Sequence, residues 1–218
     1  ELIVVEPGRI EVQESEIDER LQPHEALVEA EYSVVSAGTE GAGFTGLVKD
    51  MPFGDAGQYP RSTGYGHLGQ VLAVGEQVEM CQPGDRVLSF SRHASAVKAD
   101  AGRMALPVPR EAAGEHLVFA RMAGVSISAL RSSSVQPGDT VVVIGMGLVG
   151  NFAAQLFQLA GAEVLAVDLA DLRLEKARAC GIEHTVNAAS EDLEIAVADW
   201  TGGQGAQIVV EAIGLSEV

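Results

Sequence analysis

The amino-acid sequence predicts an α/β protein, with a small barrel-like β domain followed by a parallel sheet wound with crossover helices. Two observations predict this fold class. Short apolar runs separated by turn residues fill the chain up to about residue 109, as is typical of antiparallel β structure. Beyond that point apolar strand-like runs alternate strictly with longer helical windows, which indicates a parallel sheet.

Strands of the first part are predicted at residues 2–5, 10–13, 26–35, 70–74, 86–90, 94–98 and 104–108. The spacing of glycines between them suggests a curved, barrel-like sheet. The stretch 36–69 contains many glycines and few regular apolar periods. Because long irregular segments in compact domains are usually functional, this stretch is predicted to contact the substrate.

The second part begins with a predicted connecting helix at residues 115–133. Strands are then predicted at 141–144, 164–167, 184–186 and 208–211, with helices at 148–160, 171–180 and 191–200 between them. A complete doubly wound sheet of this kind has about six strands. We therefore expect two domains, 1–114 and 115–218, the second of which is incomplete at its C-terminal end.

Composition excludes several classes of partner. The formal net charge of -17 would repel nucleic acid and anionic lipid, so neither is an expected partner. Cys81 and Cys180 are the two cysteines, which excludes a disulfide framework and a four-cysteine metal lobe. No apolar run in the sequence approaches membrane-spanning length, and a cytoplasmic location is the default expectation.

The strongest motif is a glycine turn between a predicted strand and a predicted helix. It comprises Gly145, Met146, Gly147, Leu148, Val149 and Gly150. In this context the first glycine permits a sharp turn, the second lets the backbone approach a pyrophosphate, and the third lets the helix pack on the strand. The helix N-terminus offers unpaired N–H groups to phosphate. The six residues are therefore predicted to bind a dinucleotide.

Acidic and small residues further along complete the predicted cofactor site. Asp168 ends the next strand, where a carboxylate hydrogen-bonds ribose hydroxyls and repels the 2'-phosphate of NADP. NAD is therefore predicted rather than NADP, although Arg173 lies close enough in sequence to reach a phosphate. Ala212 and Ile213 follow the fourth strand and would let the nicotinamide half lie against the backbone.

Four strings give the chain a family resemblance: SAGTE at 36–40, GYGH at 64–67, QPGDRV at 82–87 and PGDTVVVIG at 137–145. In order and spacing they resemble the medium-chain dehydrogenase/reductase superfamily, which includes zinc-type alcohol dehydrogenases. The resemblance implies a GroES-like catalytic domain followed by a Rossmann domain. The SAGTE string also resembles the branch that contains bacteriochlorophyllide and cyclitol dehydrogenase-like proteins, which act on secondary alcohols of ring-bearing substrates.

The sequence departs from the zinc-bearing members at the metal ligands that the resemblance implies. Ala37 stands in place of the ligand cysteine, and Leu68 in place of the glutamate beside His67. Arg121 and residues 126–128 stand where the third ligand normally falls. One imidazole cannot hold zinc, which needs about three protein ligands. We therefore expect no catalytic zinc, apart from the alternative of a rearranged site that uses Glu40 or Asp55.

Catalytic residues are then expected among the remaining hydroxyls and imidazoles. Thr39 matches the hydroxyl that relays a proton in the zinc enzymes, and His67 is expected to back it. Tyr65 is a third candidate donor. The other four histidines show no constellation in the sequence and are interpreted as surface or core residues: His24, His93, His116 and His184.

Three functions remain open at this point. The first is a zinc-independent oxidoreductase that transfers hydride between NAD(H) and a secondary alcohol or ketone. The second is an NADPH-dependent quinone or enoyl reductase, and the third is a non-catalytic dinucleotide-binding sensor. The expected partner is a small alcohol or carbonyl substrate, and the sequence leaves open whether the chain forms a homo-oligomer.

Overall fold

The computed structural model describes residues 1–47, 58–102 and 105–214. They form two compact units, one from Glu1 to Arg121 and the other from Met122 to the end of the described chain. No helix among these described residues is long and apolar enough to cross a membrane. The units divide inside the segment predicted as a connecting helix, and the domain boundary after residue 114 stays a prediction.

The first unit is built mainly from antiparallel strands. Its elements are β1 (Leu2–Glu6), β2 (Arg9–Val12), β3 (Glu25–Val34), α1 (Ala37–Thr45), β4 (Arg61–Ser62), β5 (Gly66–Val74), β6 (Arg86–Ser89), β7 (Ala96–Asp100), β8 (Ala105–Pro107) and α2 (Gly114–Leu117). The described strands form one sheet in the order β2-β1-β4 and a second in the order β7-β3-β5-β6-β8. Alternate apolar residues of β3, β5, β6 and β7 fill the core, among them Val28, Val71, Val87 and Val97.

A turn sequence that occurs twice, QPGD, leads into a strand on both occasions, as the sequence predicts. Gly84 and Gly138 both adopt a φ of +89°, a conformation that disfavours any side chain. In both turns the aspartate carboxylate accepts a hydrogen bond from the N–H of the leading glutamine, at 3.0 Å in the first and 2.7 Å in the second. The shared geometry follows from shared turn chemistry.

The second unit is a parallel sheet with crossover helices, and it confirms the predicted alternation. Following α3 (Ala120–Ser132), its elements are β9 (Thr140–Ile144), α4 (Leu148–Leu159), β10 (Glu163–Asp168), α5 (Asp171–Ala179), β11 (His184–Asn187), α6 (Leu193–Trp200) and β12 (Ile208–Glu211). The strand order is β11-β10-β9-β12, with all pairs parallel. From β9 the chain goes outward to β10 and β11 on one side, and it then crosses to β12 on the other side of β9. The sheet therefore has a switch point between β9 and β12, which is where ligands bind in such folds.

The structure corrects the expectation of irregular backbone over 36–69. Residues 37–45 form α1, and β5 begins at Gly66, four residues earlier than the predicted strand at 70–74. Residues 48–57 of this stretch lie outside the described part of the chain. The single connecting helix predicted at 115–133 is instead two helices, α2 and α3.

Candidate functional site

The glycine turn lies at the carboxyl end of β9, beside the switch point of the parallel sheet. Gly145 has a φ of +94°, which a residue with a side chain rarely adopts. Its N–H donates to the carbonyl of Val167 at 2.7 Å, and a Cβ on it would lie 2.8 Å from Cγ1 of Ile213. The first glycine is therefore required both by the backbone conformation and by close packing.

The other two glycines of the turn have different surroundings. A Cβ on Gly150 would overlap the carbonyl oxygen of Gly145, so this glycine allows α4 to pack against the turn. A Cβ on Gly147 would meet no protein atom within 4 Å. Gly147 is also the N-cap of α4 and leaves the helix start without a side-chain cap. Packing against the described residues therefore does not require a glycine at position 147. Close approach of a ligand to this backbone would explain why a glycine stands there.

Asp168 at the end of β10 holds the turn and is itself held by backbone groups. Its carboxylate accepts hydrogen bonds from the N–H of Met146 at 2.7 Å and of Ala170 at 2.9 Å. Arg173 Nη1 lies 3.4 Å from the same carboxylate. Burial acts to raise the pKa of Asp168, but the two backbone hydrogen bonds and the Arg173 charge outweigh it and lower this pKa below its ordinary value. An ionised carboxylate is thus fixed beside the turn.

The remaining predicted cofactor residues lie around the same edge of the sheet. The N–H of Ala212 donates to the carbonyl of Ile144 at 2.9 Å, and the Glu211 carboxylate accepts from the N–H of Ile213. Met146 has its side chain buried in the core, whereas Leu148 is partly exposed. The carbonyl of Val149 accepts from the Ser126 hydroxyl at 2.8 Å. The structure therefore brings together the predicted residues, and the binding role of each stays a prediction.

In the first unit the candidate catalytic histidine lies in the second sheet. His67 is on β5, between its cross-strand partners Ser33 on β3 and Ser89 on β6. It is fully buried, and neither ring nitrogen has a hydrogen-bond partner among the described residues. Burial is the main cause that lowers the pKa of His67, and the nearby His93 lowers it further. The backbone of Ala94 acts in the opposite direction, although it is not a hydrogen-bond partner of the ring. The imidazole is therefore neutral near pH 7.

A second buried histidine corrects the interpretation that His93 belongs to no constellation. Its Nε2 lies 2.9 Å from Oε2 of Glu40, and its Nδ1 lies 2.9 Å from Oγ of Ser33. Glu40 also accepts from the N–H of Ser36 at 2.7 Å. Ser33 and His93 line a cavity of about 520 Å³. The separation of 53 residues between Glu40 and His93 left no local pattern from which this pair could be predicted.

Thr39, unlike the fully buried His67, is exposed to solvent. Its side chain is exposed on α1, and the unpartnered nitrogens of His67 make no hydrogen bond to it. The structure therefore places the two predicted catalytic residues without connecting them directly. Their catalytic roles stay predictions.

Among the described residues, the positions where zinc ligands were expected do not offer a complete zinc donor set. Ala37 has no ligand atom in its side chain, and Leu68 is fully buried in the apolar core. Across residues 1–47, 58–102 and 105–214 no three His, Cys, Asp or Glu side chains are grouped so that they could hold a metal. Asp55, one of the two residues suggested for a rearranged site, lies outside the described residues. Glu40, the other, is paired with His93.

Arg121 is one of the residues that stand where the third ligand was expected, together with residues 126–128, and it forms an aromatic clamp that sequence reasoning did not identify. Its guanidinium carbon lies 4.3 Å from the ring centre of Tyr65 and 4.3 Å from that of Phe90. Its Nε is buried without a hydrogen-bond partner. In the part of the chain that the structure describes, the buried side-chain nitrogens and oxygens without a partner all belong to His67 or Arg121.

Comparisons with known proteins agree with this fold. A family profile described as zinc-binding dehydrogenase matches residues 149–218. The chain is 33% identical over 149 residues to the erythritol/L-threitol dehydrogenase of Mycolicibacterium smegmatis, an alignment that covers 63% of this chain and 40% of that protein. The chain thus spans well under two thirds of the length of this curated relative.

Solved structures share the fold over nearly the whole chain. The alcohol dehydrogenase TADH from Thermus sp. ATN1 superposes with a TM-score of 0.86 at 24% identity, covering 99% of this chain and 71% of that one. The CurK enoyl reductase superposes with a TM-score of 0.86 at 23% identity, covering 99% and 68%. The profile match, the sequence match and the shared fold agree in indicating a resemblance to the medium-chain dehydrogenase/reductase superfamily.

Proposed function

We propose that this chain is the catalytic and dinucleotide-binding part of an NAD(H)-dependent oxidoreductase that interconverts secondary alcohols and ketones without catalytic zinc. The observation that carries the proposal is Gly147, a glycine at the start of α4 whose Cβ position is open. The ionised Asp168 beside the same turn supports NAD as the dinucleotide. The chain's similarity to polyol and alcohol dehydrogenases supports the substrate class.

The residues of the turn fit a dinucleotide. The backbone N–H groups that open α4 would hold the pyrophosphate, and Asp168 would accept from the ribose hydroxyls. Ala212 and Ile213 would lie along the nicotinamide half. When bound, the nicotinamide ring supplies the hydride acceptor or donor for the reaction.

His67 and Thr39 are proposed to manage the proton. A neutral imidazole accepts the proton that an alcohol releases on oxidation and returns it during reduction. Thr39 is the proposed exposed group that contacts the substrate, and because His67 is fully buried and makes no hydrogen bond to Thr39, the proposal requires a relay that carries the proton between them. Two unpartnered ring nitrogens are costly in a protein interior, and a proton-transfer role accounts for that cost.

Zinc independence follows from the chemistry of the residues at the ligand positions. An alanine, a leucine and an aromatic-clamped arginine replace the three groups that would join His67. The profile match to zinc-binding dehydrogenases covers residues 149–218, whereas these positions all precede residue 122. The proposed enzyme is an acidic, cytoplasmic protein that acts on a small molecule.

An enoyl or quinone reductase is the second candidate, favoured by the same lack of a zinc donor set among the residues that the structure describes. The Asp168 carboxylate opposes it, since it would repel the 2'-phosphate of NADPH. A non-catalytic dinucleotide sensor is the third, and the orphaned nitrogens of His67 oppose it because such a protein has no use for an unpaired buried imidazole.

The testing experiment measures turnover of the intact, chelator-treated protein with a panel of secondary alcohols and NAD or NADP. We expect retained activity and a preference for NAD. In Asp168→Asn the ratio of kcat/KM for NAD over NADP should fall about 10- to 100-fold, because the like charge facing the 2'-phosphate is gone. Asp171→Asn is the matched control, since this residue opens α5 and its carboxylate pairs with Asn187 instead.

Three outcomes contradict the proposal. Activity that appears only after zinc is added would remove zinc independence. Reduction of conjugated double bonds by NADPH, with no turnover of any alcohol, would reverse the order of the first two candidates. A protein that binds the dinucleotide and turns over no substrate would be the sensor.

A further inference from the structure

Arg121 carries a positive charge that lies against two aromatic rings and is not paired with a carboxylate of the described residues. In the described part of the chain its side chain makes no hydrogen bond and no ion pair, although the protein has 31 acidic residues against 14 basic ones. Six other arginines in that part are paired with a carboxylate: Arg9, Arg20, Arg86, Arg92, Arg110 and Arg173. A guanidinium without a carboxylate partner retains its capacity to bind another anion.

Two aromatic rings lie against the guanidinium of Arg121. The ring centres of Tyr65 and Phe90 each lie 4.3 Å from its central carbon, a distance at which both rings stabilise the positive charge by cation–π interaction. The N–H donors of a guanidinium lie in its plane as a fork that matches the two oxygens of a carboxylate. With the side chain held in this way, an oxyanion can bind without the entropy cost of ordering a free arginine.

The backbone makes room for this arrangement. A Cβ on Gly66 would lie 3.0 Å from Cβ of Arg121 and 2.9 Å from Val34 Cγ1, so position 66 must be small for the arginine to pack there. Gly66 directly precedes His67, and Phe90 directly follows Ser89, the cross-strand partner of His67. The clamp and the proposed proton-transfer residue therefore lie in the same unit, with the two rings next to the ends of β5 and β6.

We propose that Arg121 binds an oxyanion of the substrate, so that the favoured substrates are hydroxy or keto compounds that carry a carboxylate. This inference rests on the proposed function and narrows its substrate class. In this proposal the arginine, whose Nε is buried without a partner among the described residues, holds the acid group, and the histidine receives the proton of the alcohol. A phosphate ester offers the same chemistry to the fork, and the test separates the two sources.

The test compares polyols with the matching sugar acids on the intact protein. The pairs are D-sorbitol with D-gluconate, galactitol with D-galactonate, and mannitol with D-mannonate, and sorbitol 6-phosphate is the phosphate arm. Binding is measured by calorimetry without dinucleotide, and KM and kcat are measured with NAD. At least one acid should bind tighter than its matching polyol, and Arg121→Met should weaken that acid about 10- to 100-fold while changing the polyol less than about 3-fold.

Arg131→Met is the matched control, because Arg131 is an exposed arginine on the same helix. Arg121→Lys should recover part of the lost affinity, since it keeps the charge without the fork, and it carries the test if the methionine variant does not fold. Acids that bind no tighter than polyols throughout, or an Arg121→Met effect no larger than that of Arg131→Met, would overturn the inference. Preference for the phosphate arm alone would overturn the carboxylate class. Failure of the proposed function would appear separately, as absent dinucleotide binding with acid binding retained.

Discussion

Alanine at position 150 is expected to abolish dinucleotide binding and to destabilise the second unit by about 2–4 kcal/mol. A Cβ there would overlap the backbone carbonyl of Gly145, and neither group can move without shifting the turn or the start of α4. Affinity for NADH should fall more than about 100-fold, because the N–H groups that hold the pyrophosphate would be displaced. Urea unfolding and a fluorescence titration with NADH measure the two effects.

Two other glycines separate packing from binding. Gly147→Ala should leave stability unchanged, since its Cβ meets no protein atom, and should still weaken NADH about 10- to 100-fold if the pyrophosphate lies there. Gly124→Ala, on α3 with nothing near its Cβ, should raise stability by up to about 1 kcal/mol and leave binding unchanged. Wild-type affinity in Gly147→Ala would show that no ligand approaches this backbone.

Leucine at position 67 should separate catalysis from stability in the first unit. The substitution removes two buried nitrogens that have no partner, so the free energy of unfolding at pH 7.5 should hold or rise by about 1–3 kcal/mol. Turnover should fall about 10²- to 10⁴-fold, because the proposed proton acceptor is gone. Steady-state kcat and urea unfolding check the two expectations.

His67 should also make the stability of the protein depend on pH. Because the pKa of His67 is lowered in the folded state, the unfolded chain binds more protons below about pH 6.5. Wild-type stability should therefore decrease as the pH falls from about 6.5 toward the folded pKa, and the loss should be smaller in His67→Leu. Unfolding curves at pH 7.5 and pH 5.5 measure the difference.

His93→Leu is the control for these expectations. It leaves the Glu40 carboxylate buried without its partner, so it should destabilise the protein by about 3 kcal/mol. If His67→Leu behaved in the same way, losing stability while keeping its turnover, His67 would be a structural residue.

Sequence reasoning succeeded where the signal is local. The four apolar runs of the parallel sheet stand next to helical windows and appear as β9 to β12. The roles of Gly145 and Gly150 follow from the turn between one strand and one helix, and the structure gives both a steric reason. Each of these features depends on neighbours that lie within a few residues.

The same reasoning failed where glycines or long-range contacts dominate. Helix α1 contains Gly38, Gly41 and Gly43, which lower helix propensity, so its formation depends on tertiary context. The ion pair of Glu40 with His93 joins residues that are 53 positions apart, and no sequence period signals such a contact.

The clamp around Arg121 was missed for a related reason. It combines Tyr65, which directly precedes β5, and Phe90, which directly follows β6, with the arginine from α3, so no local pattern contains it. The departures from the zinc-ligand strings identified Arg121 as a replacement, but they did not reveal what the replacement contacts.

The most direct test of the central claim, a dinucleotide held at the start of α4, is an amide NMR titration of the intact protein with NAD. The account predicts the largest shifts at Gly147, Leu148 and Val149, with a smaller response at Met146, whose N–H is bound by Asp168. Saturable binding that left these amides unmoved, or no binding of either dinucleotide, would contradict it.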